Sequence, residues 1–162
     1  MVAAFWRWEG PLDEAMLAIK NGVASTLNSY EDVRLAEYFL KFNKWAHMVK
    51  FTRSGGEALA VAVRLARAYS GKDKVLICGY HGWHDWYLST NLKKKNSLNN
   101  FLIPDMEVKG VPNHLKGSTN IFEFNDLKNF KKKFKYKNIG AVIMEVERND
   151  KPKKKFFSDI RK

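Results

Sequence analysis

The stretch that decides the fold is Met48-Val-Lys-Phe-Thr-Arg-Ser-Gly-Gly-Glu-Ala-Leu-Ala-Val-Ala-Val-Arg-Leu-Ala-Arg-Ala-Tyr-Ser-Gly-Lys-Asp-Lys-Val75, which runs on to Gly79-Tyr-His-Gly-Trp-His-Asp85. Its hydrophobic period changes along the way. Residues 48–52 read as a short strand and residues 53–56 as a glycine turn. Residues 57–69 read as a helix, because Ala58, Val61, Ala62, Leu65, Ala66 and Tyr69 recur at spacings of three and four. Gly71 suits the position just past a helix C-terminus. Residues 75–79 form a compact apolar run whose length and β-branched content favour a buried strand. Strand, turn, helix and strand within about 30 residues is the size of a right-handed parallel crossover, so the expectation is an α/β fold.

On the N-terminal side, a Trp-rich opening (Trp6, Trp8) leads to Pro11 at a first helical position. Leu12, Ala15, Met16 and Ile19 follow at helical spacing until Gly22. Ser29 stands three residues before Asp32 and opens a second helix with an apolar stripe of Val33, Ala36, Phe39 and Leu40. On the C-terminal side, residues 88–120 are rich in Asn, Lys, Gly and Pro and read as loop with short elements. Asp126 caps a helix with Leu127, Phe130 and Phe134 on one side. Residues 139–144 form the next buried strand, closed by Glu145, and a further helix begins near Ser158.

The 162 residues are 45% hydrophobic and 14% aromatic, enough for a packed core, and this excludes a disordered chain. The net charge of +12 is unevenly spread: residues 1–90 carry 11 basic and 9 acidic side chains, residues 91–162 carry 18 and 8. Such an excess raises a small basic nucleic-acid-binding module as an alternative, supported by the interleaved Lys and Phe between Phe130 and Tyr136. Those phenylalanines have core spacing, however, which weakens it. The single Cys78, the lack of a signal-peptide pattern and the lack of an apolar run near 20 residues point to a cytoplasmic chain without a membrane span.

Three features fall just beyond the carboxyl ends of expected strands: Ser54-Gly55-Gly56, Tyr80-His81-Gly82 and Glu145. In open parallel sheets that edge is where ligands bind. Gly55 and Gly56 let backbone amides at the positive end of a helix approach an anion closely, and phosphate is the natural guest. Ser54-x-x-Glu57 equally matches a capping box, which needs no ligand. Tyr80 or His81 suits stacking on a planar group. His81, His84 and Asp85 are a weaker metal reading, since two histidines without further ligands seldom make a site. A carboxylate at Glu145, ending an apolar strand, pairs with a charge or faces a site that uses it.

On these residues, with the helix of residues 31–42 and Gly140-Ala-Val-Ile-Met-Glu145, the chain closely resembles class III pyridoxal phosphate-dependent aminotransferases, especially the glutamate-1-semialdehyde aminomutase-like branch. The resemblance implies a three-layer αβα fold with a mostly parallel sheet, part of the large domain of a fold type I pyridoxal phosphate enzyme. Residues 1–45 would be an N-terminal helical segment and residues 46–162 a partial cofactor-binding domain. It implies that Ser54, Gly55 and Gly56 hold the cofactor phosphate, that Tyr80 stacks on the pyridine ring with His81 beside it, and that Glu145 lies near the substrate pocket. The expected substrates are an amino acid or amino sugar and a keto compound, and the intact enzyme would be a homodimer.

The sequence departs from the family pattern at Gly56, where Thr is common, at Val146, where Pro often follows the glutamate, and at Arg53, where Asn is frequent. No motif matches the family's pyridine-pairing Asp or its Schiff-base Lys, and the lysine runs read as solvated surface. The resemblance therefore implies a fragment, inactive alone, of an enzyme that transfers amino groups. A non-catalytic remnant that binds phosphate or a partner is the other alternative.

Overall fold

The computed structural model describes residues 12–22, 26–135, 138–147 and 149–161. Trp6, Trp8, Pro11 and Tyr136 of the expectations above lie outside them. The chain divides into two compact units, Met1–Arg53 and Ser54–Lys162.

The first unit holds α1 (Leu12–Lys20) and α2 (Tyr30–Phe42). Ser29 starts α2 by the reciprocal bonds its spacing predicts: its hydroxyl accepts the Asp32 amide at 3.1 Å, and its own amide donates to the Asp32 carboxylate at 3.2 Å. Residues 48–52, expected as a strand, form none. Val49 and Phe51 share a groove with Val33, Ala36 and Leu40 of α2, and residues 48–52 pair with no strand among the described residues. Alternation in so short a stretch does not by itself make a strand; a ladder partner does.

The second unit follows the order α3 (Gly55–Ser70), β1 (Lys74–Cys78), α4 (Asp85–Leu88), α5 (Thr90–Lys93), a 3₁₀ turn (Asn113–Leu115), β2 (Thr119–Ile121), α6 (Leu127–Phe134), β3 (Ile139–Met144) and α7 (Phe156–Arg161). The three strands are parallel in the order β2-β1-β3, with Leu76 of β1 opposite Asn120 and Val142. The central strand alternates between two cores. Val75 and Ile77 pack with Val63 of α3 and with Trp86, Tyr87 and Leu98, whereas Leu76 and Cys78 pack with Phe122, Phe130 of α6 and Phe156 of α7. Helices on both faces of a sheet make the three αβα layers, and they explain why β1 is apolar at every position after Lys74.

One further expectation needs correction here. The apolar stripe of α3 is not its buried face: Leu65 and Tyr69 are 63% and 96% exposed, while Leu59, Ala60 and Val63 turn to the core. Nearly every side of this helix carries Ala, Val or Leu, so periodicity alone could not choose the face. The 88–120 segment is loop with short elements, as expected, and at its end begins β2, a strand too short and too polar (Thr-Asn-Ile) to announce itself. It is held to α4 by its first residue, since the Thr119 hydroxyl donates to the Trp86 carbonyl at 2.5 Å. Among the described residues no helix is long and apolar enough to cross a membrane.

Candidate functional site

The sheet changes direction at β1. The chain leaves β1 through α4 and α5 on one face to reach β2, then returns through α6 on the other face to β3 on the far side of β1. A crevice opens beyond the carboxyl ends of strands where connections diverge in this way.

Ser54 sets the first wall. Its backbone is extended (φ −143°, ψ 159°), its hydroxyl accepts the Glu57 amide at 3.2 Å, and its carbonyl accepts the Ala58 amide at 3.0 Å. The capping role is thus real. It leaves the amides of Gly55 and Gly56 without an acceptor among the described residues, at the positive end of a 16-residue helix.

The loop after β1 is pressed onto this first turn. Gly82 has φ +98°, and a Cβ placed on it would lie 2.9 Å from the Gly56 Cα. A Cβ on Gly56 would lie 3.0 Å from the Nδ1 and Cε1 atoms of His84. Gly82 requires glycine because its backbone is left-handed and meets another backbone, whereas a side chain at position 56 would have to push the His84 ring aside. The result is a cradle that a side chain would fill, with two donor amides and an imidazole at its rim, and this suits a phosphate group.

Tyr80 is half-buried and stands edge-on to Tyr87, with ring centroids 6.0 Å apart. The Tyr87 hydroxyl donates to the Gly79 carbonyl at 3.0 Å. His81 is placed differently from a rim residue: it is 5% exposed, its Nε2 lies 3.1 Å from the Cys78 carbonyl, and its ring meets the edge of Tyr87. A carbonyl only accepts, so Nε2 carries the proton. Burial pushes the imidazole pKa below its usual value against weaker opposing contributions from the Cys78 carbonyl and the Glu145 charge, which keeps the ring neutral.

Glu145 ends β3 with its amide donating to the Cys78 carbonyl at 3.0 Å. Its side chain lies over Gly79 (φ +106°), so closely that a Cβ there would come within 2.7 Å of the glutamate Cγ. Glu145 and Gly79 line a cleft with Asn100, Phe101 and Phe124, and residues 54–56 do not reach it. Beneath this floor, burial together with the charges of Glu123 and Glu145 pushes the Cys78 thiol up to about 12. Among the described residues no three metal-ligating side chains gather, so His81, His84 and Asp85 do not form a metal centre. In α6 Phe130 is buried and stacks on Phe134, which is half exposed.

Gly79, Tyr87 and His84 complete the site, and sequence reasoning had not assigned them to it. Gly79 and Tyr87 could have been found as a glycine and a tyrosine flanking the loop after a buried strand. The contact of residues 56 and 84 has no local spacing signal.

No protein-family model matches the chain. A solved transaminase with pyridoxal phosphate bound superposes with a TM-score of 0.76 at 24% identity, over 93% of this chain and 36% of that one. The fold is therefore that of the large domain of pyridoxal phosphate-dependent transaminases, in part. By sequence, the chain is 37% identical over 125 residues to a glutamate-1-semialdehyde 2,1-aminomutase of Methanobrevibacter smithii, which is 72% of this chain and 28% of the relative. It is also 46% identical over 54 residues to the 2'-deamino-2'-hydroxyneamine transaminase of Streptomyces kanamyceticus, which is 33% of this chain and 14% of that enzyme. The chain is a homologue of the glutamate-1-semialdehyde aminomutases and related aminotransferases, and it spans under a third of the length of these relatives.

Proposed function

We propose that the chain forms the phosphate-binding and ring-stacking wall of a pyridoxal 5'-phosphate site in an aminotransferase or aminomutase. The observation that carries this reading is the start of α3, where the Ser54 cap leaves the Gly55 and Gly56 amides open beside the close approach of Gly56 and Gly82. When bound, the cofactor supplies an aldehyde carbon that accepts an amino group and a ring that withdraws electrons from the neighbouring bond.

The residues of this chain bind and orient. The two amides and the Ser54 cap fix the phosphate at the helix terminus, and each hydrogen bond to a charged oxygen contributes on the order of 1.5–3 kcal/mol. Tyr80, braced by Tyr87, offers a ring face for stacking. His81 acts through the backbone: neutral and buried, it ties the end of β1 so that Tyr80 and Gly82 keep their places. Glu145 presents a carboxylate to the cleft beside Gly79, where it can orient an ammonium or hydroxyl group of the substrate.

The lysine that would bond the cofactor, and the carboxylate that would pair with its ring nitrogen, are supplied from outside these 162 residues. The chain alone therefore binds the cofactor without moving amino groups. The whole enzyme is a dimer acting on an amino acid or amino sugar and a keto partner, a reading supported by the likeness to the aminomutase and to the 2'-deamino-2'-hydroxyneamine transaminase.

The test is equilibrium binding alongside an amino-transfer assay. Pyridoxal 5'-phosphate should bind at least about tenfold more tightly than pyridoxal, the ratio that one charged hydrogen bond sets, with no turnover of an amino donor. Equal affinity for the two would refute the phosphate site, and catalytic turnover by the isolated chain would refute the claim of incompleteness.

A further inference from the structure

The cradle at the start of α3 carries one side chain whose position nothing in the fold requires. His84 occupies the N-cap position of α4 yet makes no capping bond with its side chain. Its side chain is exposed and makes no hydrogen bond among the described residues, while its carbonyl accepts the Tyr87 and Leu88 amides at 2.9 and 3.1 Å. Its Nδ1–Cε1 edge nevertheless sits where the side chain of residue 56 would begin, 3.0 Å from that Cβ position. Capping and burial therefore both fail to account for its placement.

The imidazole replaces, from another segment of the chain, the side chain that Gly56 lacks. A ring held there stands beside the two open amides at the positive end of the helix. An imidazole keeps one N–H to donate when neutral and two when protonated. We propose that His84 is the side-chain ligand of the phosphate cup and donates to a phosphate monoester held on the Gly55 and Gly56 amides. The inference rests on the phosphate site proposed above. It also gives the glycine at position 56 a reason: any larger residue would displace the ring, so Gly56 and His84 form a matched pair.

Pyridoxal 5'-phosphate and pyridoxal are titrated against the 162-residue chain and its variants, with unfolding curves as a check on folding. His84→Ala should weaken pyridoxal 5'-phosphate roughly tenfold, the scale of one lost charge-assisted hydrogen bond, and leave pyridoxal unchanged. His84→Gln, which keeps an N–H donor, should recover part of the loss and serves as the deciding variant if His84→Ala fails to fold. Gly56→Ala should weaken the phosphate ligand in the wild-type background and have little further effect beside His84→Ala, since both remove one arrangement.

If the wild-type chain prefers the phosphorylated ligand and both His84 variants bind it equally well, the role of His84 is overturned while the cup stands. If the wild-type chain does not distinguish the two ligands, the cup itself falls and this inference with it.

Discussion

Replacing Gly82 by alanine puts the architecture of the site under direct stress. At φ +98° an L-residue costs about 1–3 kcal/mol. The added Cβ would lie 2.9 Å from the Cα of Gly56, and a backbone atom has no rotamer to escape into, so overpacking adds about 1–3 kcal/mol. The expected destabilisation is about 2–6 kcal/mol, against about 1 kcal/mol for Gly71→Ala, where φ is +64° and nothing lies within 4 Å of the new Cβ. In urea unfolding followed by far-ultraviolet circular dichroism, the midpoint of Gly82→Ala should fall well below that of Gly71→Ala at a similar slope. Each kcal/mol corresponds to roughly 2–4 °C in Tm for a chain of this size. Equal midpoints for the two variants would refute the close approach of α3 to the loop after β1.

Other consequences concern the floor of the site. Tyr87→Phe removes the donor to the buried Gly79 carbonyl and should cost about 1–3 kcal/mol in the same unfolding assay. His81 has its folded pKa below the usual 6.5, so the unfolded state takes up its proton first as pH falls. Stability from this group is present above 6.5 and lost below it, and His81→Gln should show a shallower acid loss in unfolding titrations. Cys78, with its thiol pushed from 9.0 up to about 12, should resist iodoacetamide at pH 8.5 in the folded chain and react once urea unfolds it. Its contribution to stability is complete below pH 9 and declines above it, because the unfolded thiol ionises first.

Much of the second unit was legible because its signals are local. β1 and β3 read as buried strands from unbroken apolar runs, α3 opened at Ser54, and Asp126 capped α6 through the Asn129 amide, as Ser29 opened α2 in the first unit. What failed depended on distant partners. Residues 48–52 lack the ladder that would make them a strand, and β2 is a strand only because Val75 to Ile77 lie beside it. The buried face of α3 was set by where the sheet lay. For the proposed site, glycine pairs and strand-end positions pointed to the carboxyl edge of the sheet. The turning of His81 under that edge, and the seating of His84 over Gly56, are tertiary facts that no spacing encodes.

The most direct test of the account is an amide-resolved NMR titration of the chain with pyridoxal 5'-phosphate. The account predicts that the largest shifts fall on the Gly55 and Gly56 amides, with smaller ones in the Tyr80 to His84 loop, and that pyridoxal leaves the two glycines unmoved. Shifts concentrated at the lysine-rich rim of Lys93, Lys94 and Lys133 with residues 55 and 56 unperturbed would contradict it.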